Sequence, residues 1–167
     1  MKRLFTLLTF VLLTMSAIAQ QRMNFLGQPL GCSITTFKQR MASKGYKYDG
    51  EHMPNIHSFN GVFGGDQVHL AAYVTPKSKI VYEVGVVYLD YYSSNSKESM
   101  EFKKNSLIQS FVKKYGNYSE KDMYTFWLFS YGRISISLDY ENILPLRIFY
   151  TDKLGEEMCE REQESDY

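Results

Sequence analysis

Residues 66–90 read DQVHLAAYVTPKSKIVYEVGVVYLD. From Asp66 to Thr75, Val68, Leu70, Ala72 and Val74 fall on one side and Gln67, His69, Ala71 and Tyr73 on the other, the period of a half-buried strand. Pro76-Lys77-Ser78-Lys79 supplies turn chemistry, and the run from Ile80 to Asp90 is apolar on both faces, as a central strand must be. Two adjacent strands joined by a short turn are antiparallel. Upstream, Gly64-Gly65 marks another tight turn, leading back to a strand at about Ile56 to Phe63. The segment therefore predicts a three-stranded antiparallel meander.

Helical signals flank it. Ser33 can cap a helix whose apolar positions Ile34, Phe37 and Met41 recur at three and four, and Gly45 stops it after Lys44. A second helix begins at Asn95 with Glu98 in a capping-box-like arrangement. It carries Met100, Leu107, Phe111 and Tyr115 on one stripe and ends at Gly116, after Lys113 and Lys114 that suit the negative end of its dipole. Period two then returns at Tyr124 to Ser130, at Arg133 to Tyr140 after the Tyr131-Gly132 turn, and at Pro145 to Thr151. The expected class is α+β, with two helices packed on one face of antiparallel sheet. The halves 27–91 and 95–152 each read as a helix followed by a meander of three strands, either a tandem repeat or one unit.

The chain opens with Met1-Lys2-Arg3, a charge-free apolar run from Leu4 to Met15, then Ser16-Ala17-Ile18-Ala19. Small side chains at Ala17 and Ala19 predict a secretory signal peptide over residues 1–19, cleaved between Ala19 and Gln20. A run of about twelve apolar residues makes about 18 Å of helix against a hydrocarbon core of roughly 30 Å, so no membrane anchor is expected in the mature chain. The first cysteine is Cys32, well past the cleavage point, so no lipid attachment site follows it. An exported, soluble product of the bacterial periplasm or exterior is the expectation.

Of the 19 basic and 18 acidic residues, the leader holds Lys2 and Arg3, which leaves 17 against 18 in residues 20–167. Six acids against Arg161 alone lie between Gly155 and Tyr167, read as an acidic tail, with a short helix as the alternative. The rest, residues 20–154, reads as one domain. No basic stripe interleaved with aromatics is present, so nucleic acid is not an expected partner. Cys32 and Cys159 are either a long-range disulfide, worth roughly 4–5 kcal/mol on the chain-entropy model if their Cα atoms come within about 7 Å, or two free thiols.

The features Phe37-x3-Met41-x2-Lys44-Gly45-Tyr46 and Phe111-x2-Lys114-Tyr115-Gly116, with the order helix, meander, helix, meander, resemble small exported bacterial proteins of tandem α/β repeat. The beta-lactamase inhibitor proteins and small outer-membrane assembly lipoproteins are of this kind. The resemblance spans about Gly27 to Thr151 and implies a sheet whose open face receives another protein. It assigns no functional residue, because no motif matches an inhibitory loop.

Chemistry-bearing motifs are sparse. His52, His57 and His69 have no metal-ligand spacing, and no cofactor motif occurs. Glu83, within the apolar run Val81 to Leu89, is the most unusual acid, and a small hydrolase of envelope polymers would pair it with Asp139 or Glu141. The aromatic content is 16%, with 14 tyrosines. If Phe126 and Leu128 face the helices, then Trp127 and Phe129 join Tyr73, His69, Arg147 and Phe149 on an open face suited to a protein, peptide or glycan outside the cytoplasm. A one-residue change of phase reverses Trp127 and Phe126. The leading expectation is a non-enzymatic binding module; a structural or assembly factor of the envelope is the third reading.

Overall fold

The computed structural model describes residues 21–89, 97–139 and 146–165. The signal peptide with its Ala19–Gln20 cleavage point, Asn95 and Glu141 lie outside the described residues. The central hairpin is as read: β5 (Asp66–Val74) pairs antiparallel with β6 (Val81–Tyr88), and β4 (Ile56–Phe63) lies beside β5. Gly64 and Gly65, with φ of 61° and 94°, make the left-handed turn between β4 and β5 that L-residues resist.

The fold is α+β with one eight-stranded antiparallel sheet. Before β4 comes β3 (Lys47–Met53), and after the second helix come β7 (Ser119–Lys121), β8 (Tyr124–Phe129), β9 (Gly132–Leu138) and β10 (Leu146–Asp152). The strand order is β3-β4-β5-β6-β10-β9-β8-β7. Each helix is thus followed by four strands where three were expected, and the halves meet where β6 pairs antiparallel with β10. The missed strands are the two edges. β3 is exposed at six of its seven residues and β7 at all three, so neither carries the alternation that marks a half-buried strand. Bulges in β3 and the brevity of β7 blunt those edges against pairing with other chains.

Helix α1 (Ile34–Ser43) is capped by Ser33, whose hydroxyl accepts from Thr36 N at 3.3 Å. It closes with Gly45 N donating to Ala42 O and Tyr46 N to Met41 O, the Schellman pair, with Gly45 at φ 86°. Helix α2 (Lys97–Tyr115) ends at Gly116. Phe37 and Met41 of α1 and Ile108 and Phe111 of α2 bury against one sheet face, together with Leu70, Val86, Ile148 and Ile136, which lie opposite one another across four strands.

A short hairpin of β1 (Asn24–Phe25) and β2 (Gln28–Pro29) straps this side, turning at Leu26 and Gly27 with φ of 51° and 75°. Its Phe25 is fully buried between Phe63 and Tyr150.

The acidic C-terminal segment is not a frayed tail. Lys153–Glu164 forms helix α3, capped by Asp152, whose side chain accepts from Gly155 N at 2.9 Å. It packs on β6 through buried Gly155 against Tyr82, because glycine there lets helix and strand backbones approach. Its far end is held by Glu162, which accepts from the backbone N–H groups of Lys77 and Ser78 in the β5–β6 turn. Cys159 packs beneath α3 at the Tyr82 hydroxyl, while the Cys32 carbonyl accepts from Val81 N and its side chain rests on the main core. Both thiols are free. Of the two states open to the pair, the structure has the free thiols: Val81 belongs to the helix-covered core and Tyr82 to the α3 side, so the sheet stands between the cysteines.

Candidate functional site

The face away from α1 and α2 is written by the register as three transverse rows. The middle row runs Ser58, Ala71, Gly85, Phe149, Ser135, Phe126, Ser119. The row nearer α3 runs Ile56, Tyr73, Glu83, Thr151, Arg133, Leu128, and the far row Asn60, His69, Val87, Arg147, Ser137, Tyr124, Lys121. At the centre, where β6 meets β10, Gly85 has no side chain and the Phe149 ring occupies that space: a Cβ on Gly85 would lie 3.0 Å from Phe149 Cε1 and 3.7 Å from Tyr73 Cε2. Glycine in a central strand weakens it unless another group approaches closely, and here an aromatic ring on the paired strand does so.

Beside this centre lies a cleft of about 460 Å³, lined among others by Phe126, Phe149 and Tyr124 and by the charged groups Glu83, Arg133, Lys121 and Asp122. Glu83 accepts a 2.6 Å hydrogen bond from Thr151 Oγ1 and lies 3.9 Å from Arg133 Nη2. That guanidinium is already engaged by both Glu156 oxygens of α3, at 2.9 and 2.7 Å. Burial raises the Glu83 pKa above the ordinary carboxylate value of 4.5, against the opposing pull of Thr151 and Arg133. Burial also raises the Tyr73 hydroxyl, with Glu83 adding to it, and burial lowers His69 from 6.5, so both are neutral at pH 7.

A half-buried charge held at a cost to stability has a measurable signature. With its folded pKa raised, Glu83 adds stability below pH 4.5 that is lost as pH rises through the raised value. Glu83→Gln is expected to exceed the parent protein in stability at pH 7, with the advantage gone by pH 4.5. Urea denaturation at the two pH values checks this; a variant less stable than the parent at pH 7 contradicts it.

Of the six residues expected on this face, Tyr73, His69, Arg147 and Phe149 are on it. Trp127 and Phe129 are not. Trp127 is 2% exposed on the helix-covered side, 5.4 Å from the Phe111 ring, with Nε1 donating to Gly116 O at 3.0 Å. Phe129 packs on the same side against Tyr115 and Tyr131. The phase of β8 is the reverse of the one adopted, so Phe126 and Leu128 are the open-face residues, and Leu128 is 69% exposed. The alternation itself carried no sign: both sets of β8 are apolar, and only the pairing with Ile134 and Ile136 orients them.

Asp139 ion-pairs with Arg147 at 3.8 Å, and Arg147 lies four residues along β10 from Thr151, roughly 13 Å from Glu83's level of the sheet. Ser137 Oγ and Arg147 Nε, at that far end, are buried with no hydrogen-bond partner among the described residues.

The histidines do not converge. His52 pairs with Asp49 at 3.2 Å on exposed β3, His57 is buried with Nδ1 3.0 Å from the Tyr48 hydroxyl, and His69 bonds Asn60 at 2.9 Å. Among the described residues no helix is long and apolar enough to cross a membrane, and no group of three potential ligands could hold a metal.

No family model, curated protein or solved structure matches the chain.

Proposed function

We propose that the protein is an exported, non-enzymatic binding module that receives a segment of another protein on the open face of its sheet, in the cleft between Phe126 and Phe149. The observation that carries this reading is the aromatic and aliphatic surface there: Tyr124, Phe126 and Phe149 line the cleft and Leu128, 69% exposed, stands beside Arg133 at its edge. Rigid rings flanked by ionic groups combine large buried area with polar orientation, the chemistry of interface hot spots. The Glu83–Arg133–Glu156 network adds charge of both signs at one border, which favours a partner with complementary polar groups rather than a purely apolar one.

A hydrolytic reading draws support from Glu83, a carboxyl with raised pKa in a cleft. It is the weaker one. Asp139 stands beyond the separation of roughly 5–9.5 Å at which paired carboxylates act across a scissile glycosidic bond, and Glu156 is held by the same arginine as Glu83.

Photo-crosslinked capture from cell envelope tests the binding reading. Phe126→Ala with Leu128→Ala is expected to reduce partner recovery at least tenfold, about the loss of one hot spot. Phe102→Ala, at a 77% exposed position of α2 on the opposite side, should leave recovery unchanged. Equal recovery with both variants rejects the face.

A further inference from the structure

A second cavity lies on the other side of the sheet, under the β1–β2 strap. It measures about 360 Å³, and its walls include Phe63, Phe111, Tyr115, Phe129, Tyr131 and Tyr150, drawn from β4, α2, the β8–β9 hairpin and β10. Protein interiors leave few voids larger than a water, whose share of liquid volume is about 30 Å³. This space is larger by an order of magnitude and falls at the small end of the range, about 300–1,000 Å³, found for ligand pockets.

Its rings pack on one another. Phe111 contacts Tyr115 at 5.6 Å, Tyr115 contacts Phe129 at 5.7 Å, and Phe129 stacks on Tyr131 at 5.3 Å with an interplanar angle of 18°. The strap that roofs it is fixed on both sides, by Phe25 in the core and by Met23 N donating to buried Asp152.

The polar groups set the class of occupant. Among the described residues Lys114, at the exposed C-terminal turn of α2, is the only charged residue lining the cavity, with Nζ 5.0 Å from the Tyr115 ring centroid, and no acid among them lines it. Burial raises the Tyr150 hydroxyl well above its ordinary value, so it stays protonated and able to donate. We infer that this cavity binds a small planar aromatic carboxylate, its ring held among the aromatic walls and its carboxylate paired with Lys114. The site is independent of the open face, since Ile134 and Tyr150, which line it, belong to the helix-covered core.

The test titrates the purified protein, labelled at methionine and isoleucine methyls, with 2-naphthoate and with its neutral counterpart 2-naphthylmethanol. Saturable shifts at Met23 and Ile134 are expected with 2-naphthoate. Lys114→Gln should weaken 2-naphthoate by roughly three- to tenfold, the worth of one accessible charge-assisted contact, and leave the alcohol's affinity unchanged. The absence of saturable shifts at these methyls, shifts confined to the open face, or equal affinity for acid and alcohol before and after the substitution would each overturn the inference. Because Lys114 is exposed, the variant's remaining methyl spectrum should superimpose on the parent's, which separates a lost contact from a lost fold.

Discussion

Trp127→Ala is expected to lower the unfolding free energy by about 3–5 kcal/mol, the range for removing a large ring from a packed core. The indole is 2% exposed, lies against Phe111 and Tyr118 at 5.4 and 5.7 Å, and ties β8 to the end of α2 through the bond to Gly116 O. Trp127→Phe keeps most of the packing and leaves the Gly116 carbonyl without that donor, so a smaller loss of about 1–2 kcal/mol is expected. Urea unfolding of the three proteins measures this. The result also discriminates between the two phases of β8: an indole on the open face would cost little stability on truncation, so a loss below 1 kcal/mol would contradict the placement described above.

Asp152→Ala is expected to be comparably damaging, at about 3–5 kcal/mol, because it removes one member of a buried ion pair together with a helix cap. The carboxylate is fully buried and holds three parts of the chain at once. Oδ1 accepts from Met23 N at 2.9 Å and Arg22 Nε at 3.0 Å, and Oδ2 lies 2.8 Å from Arg22 Nη2 and accepts from Gly155 N at 2.9 Å. Its loss leaves a guanidinium only 20% exposed without its carboxylate, releases the strap over the aromatic cavity and uncaps α3. Asp152→Asn can still cap α3 but cannot match the charge of Arg22, so an intermediate loss is expected. Amide exchange at Met23 should accelerate in both variants before global unfolding; unchanged exchange would show that Asp152 does not hold the strap.

Trp127 and Asp152 owe their roles to contacts that no local pattern encodes. Trp127 was visible as the single tryptophan, but a strand apolar on both faces has no preferred side until a neighbour in register supplies one. Asp152 reads as an ordinary strand-end acid. Its partners Arg22 and Met23 lie 130 and 129 residues away, and no local pattern couples them. Helix α3 was only the alternative reading of its segment for a similar reason: its acidic surface resembles a solvated tail, and what orders it is the cap at Asp152, the close approach of Gly155 to Tyr82 and the grip of Glu162 on the β5–β6 turn.

What the sequence determined by itself is the local order: where α1 ends, where the chain turns at Gly64-Gly65, and that β4, β5 and β6 form an antiparallel meander beneath amphipathic helices. Those features rest on glycine's access to positive φ, on caps and on periods of 3.6 and 2, all of which act within a few residues. The tertiary structure alone decided the joining of β6 to β10, the side on which Trp127 and Phe126 fall, the separation of Cys32 from Cys159 across the sheet, and the gathering of six rings around one cavity. Each depends on register between distant strands, and a shift of one residue there exchanges the two faces of the sheet.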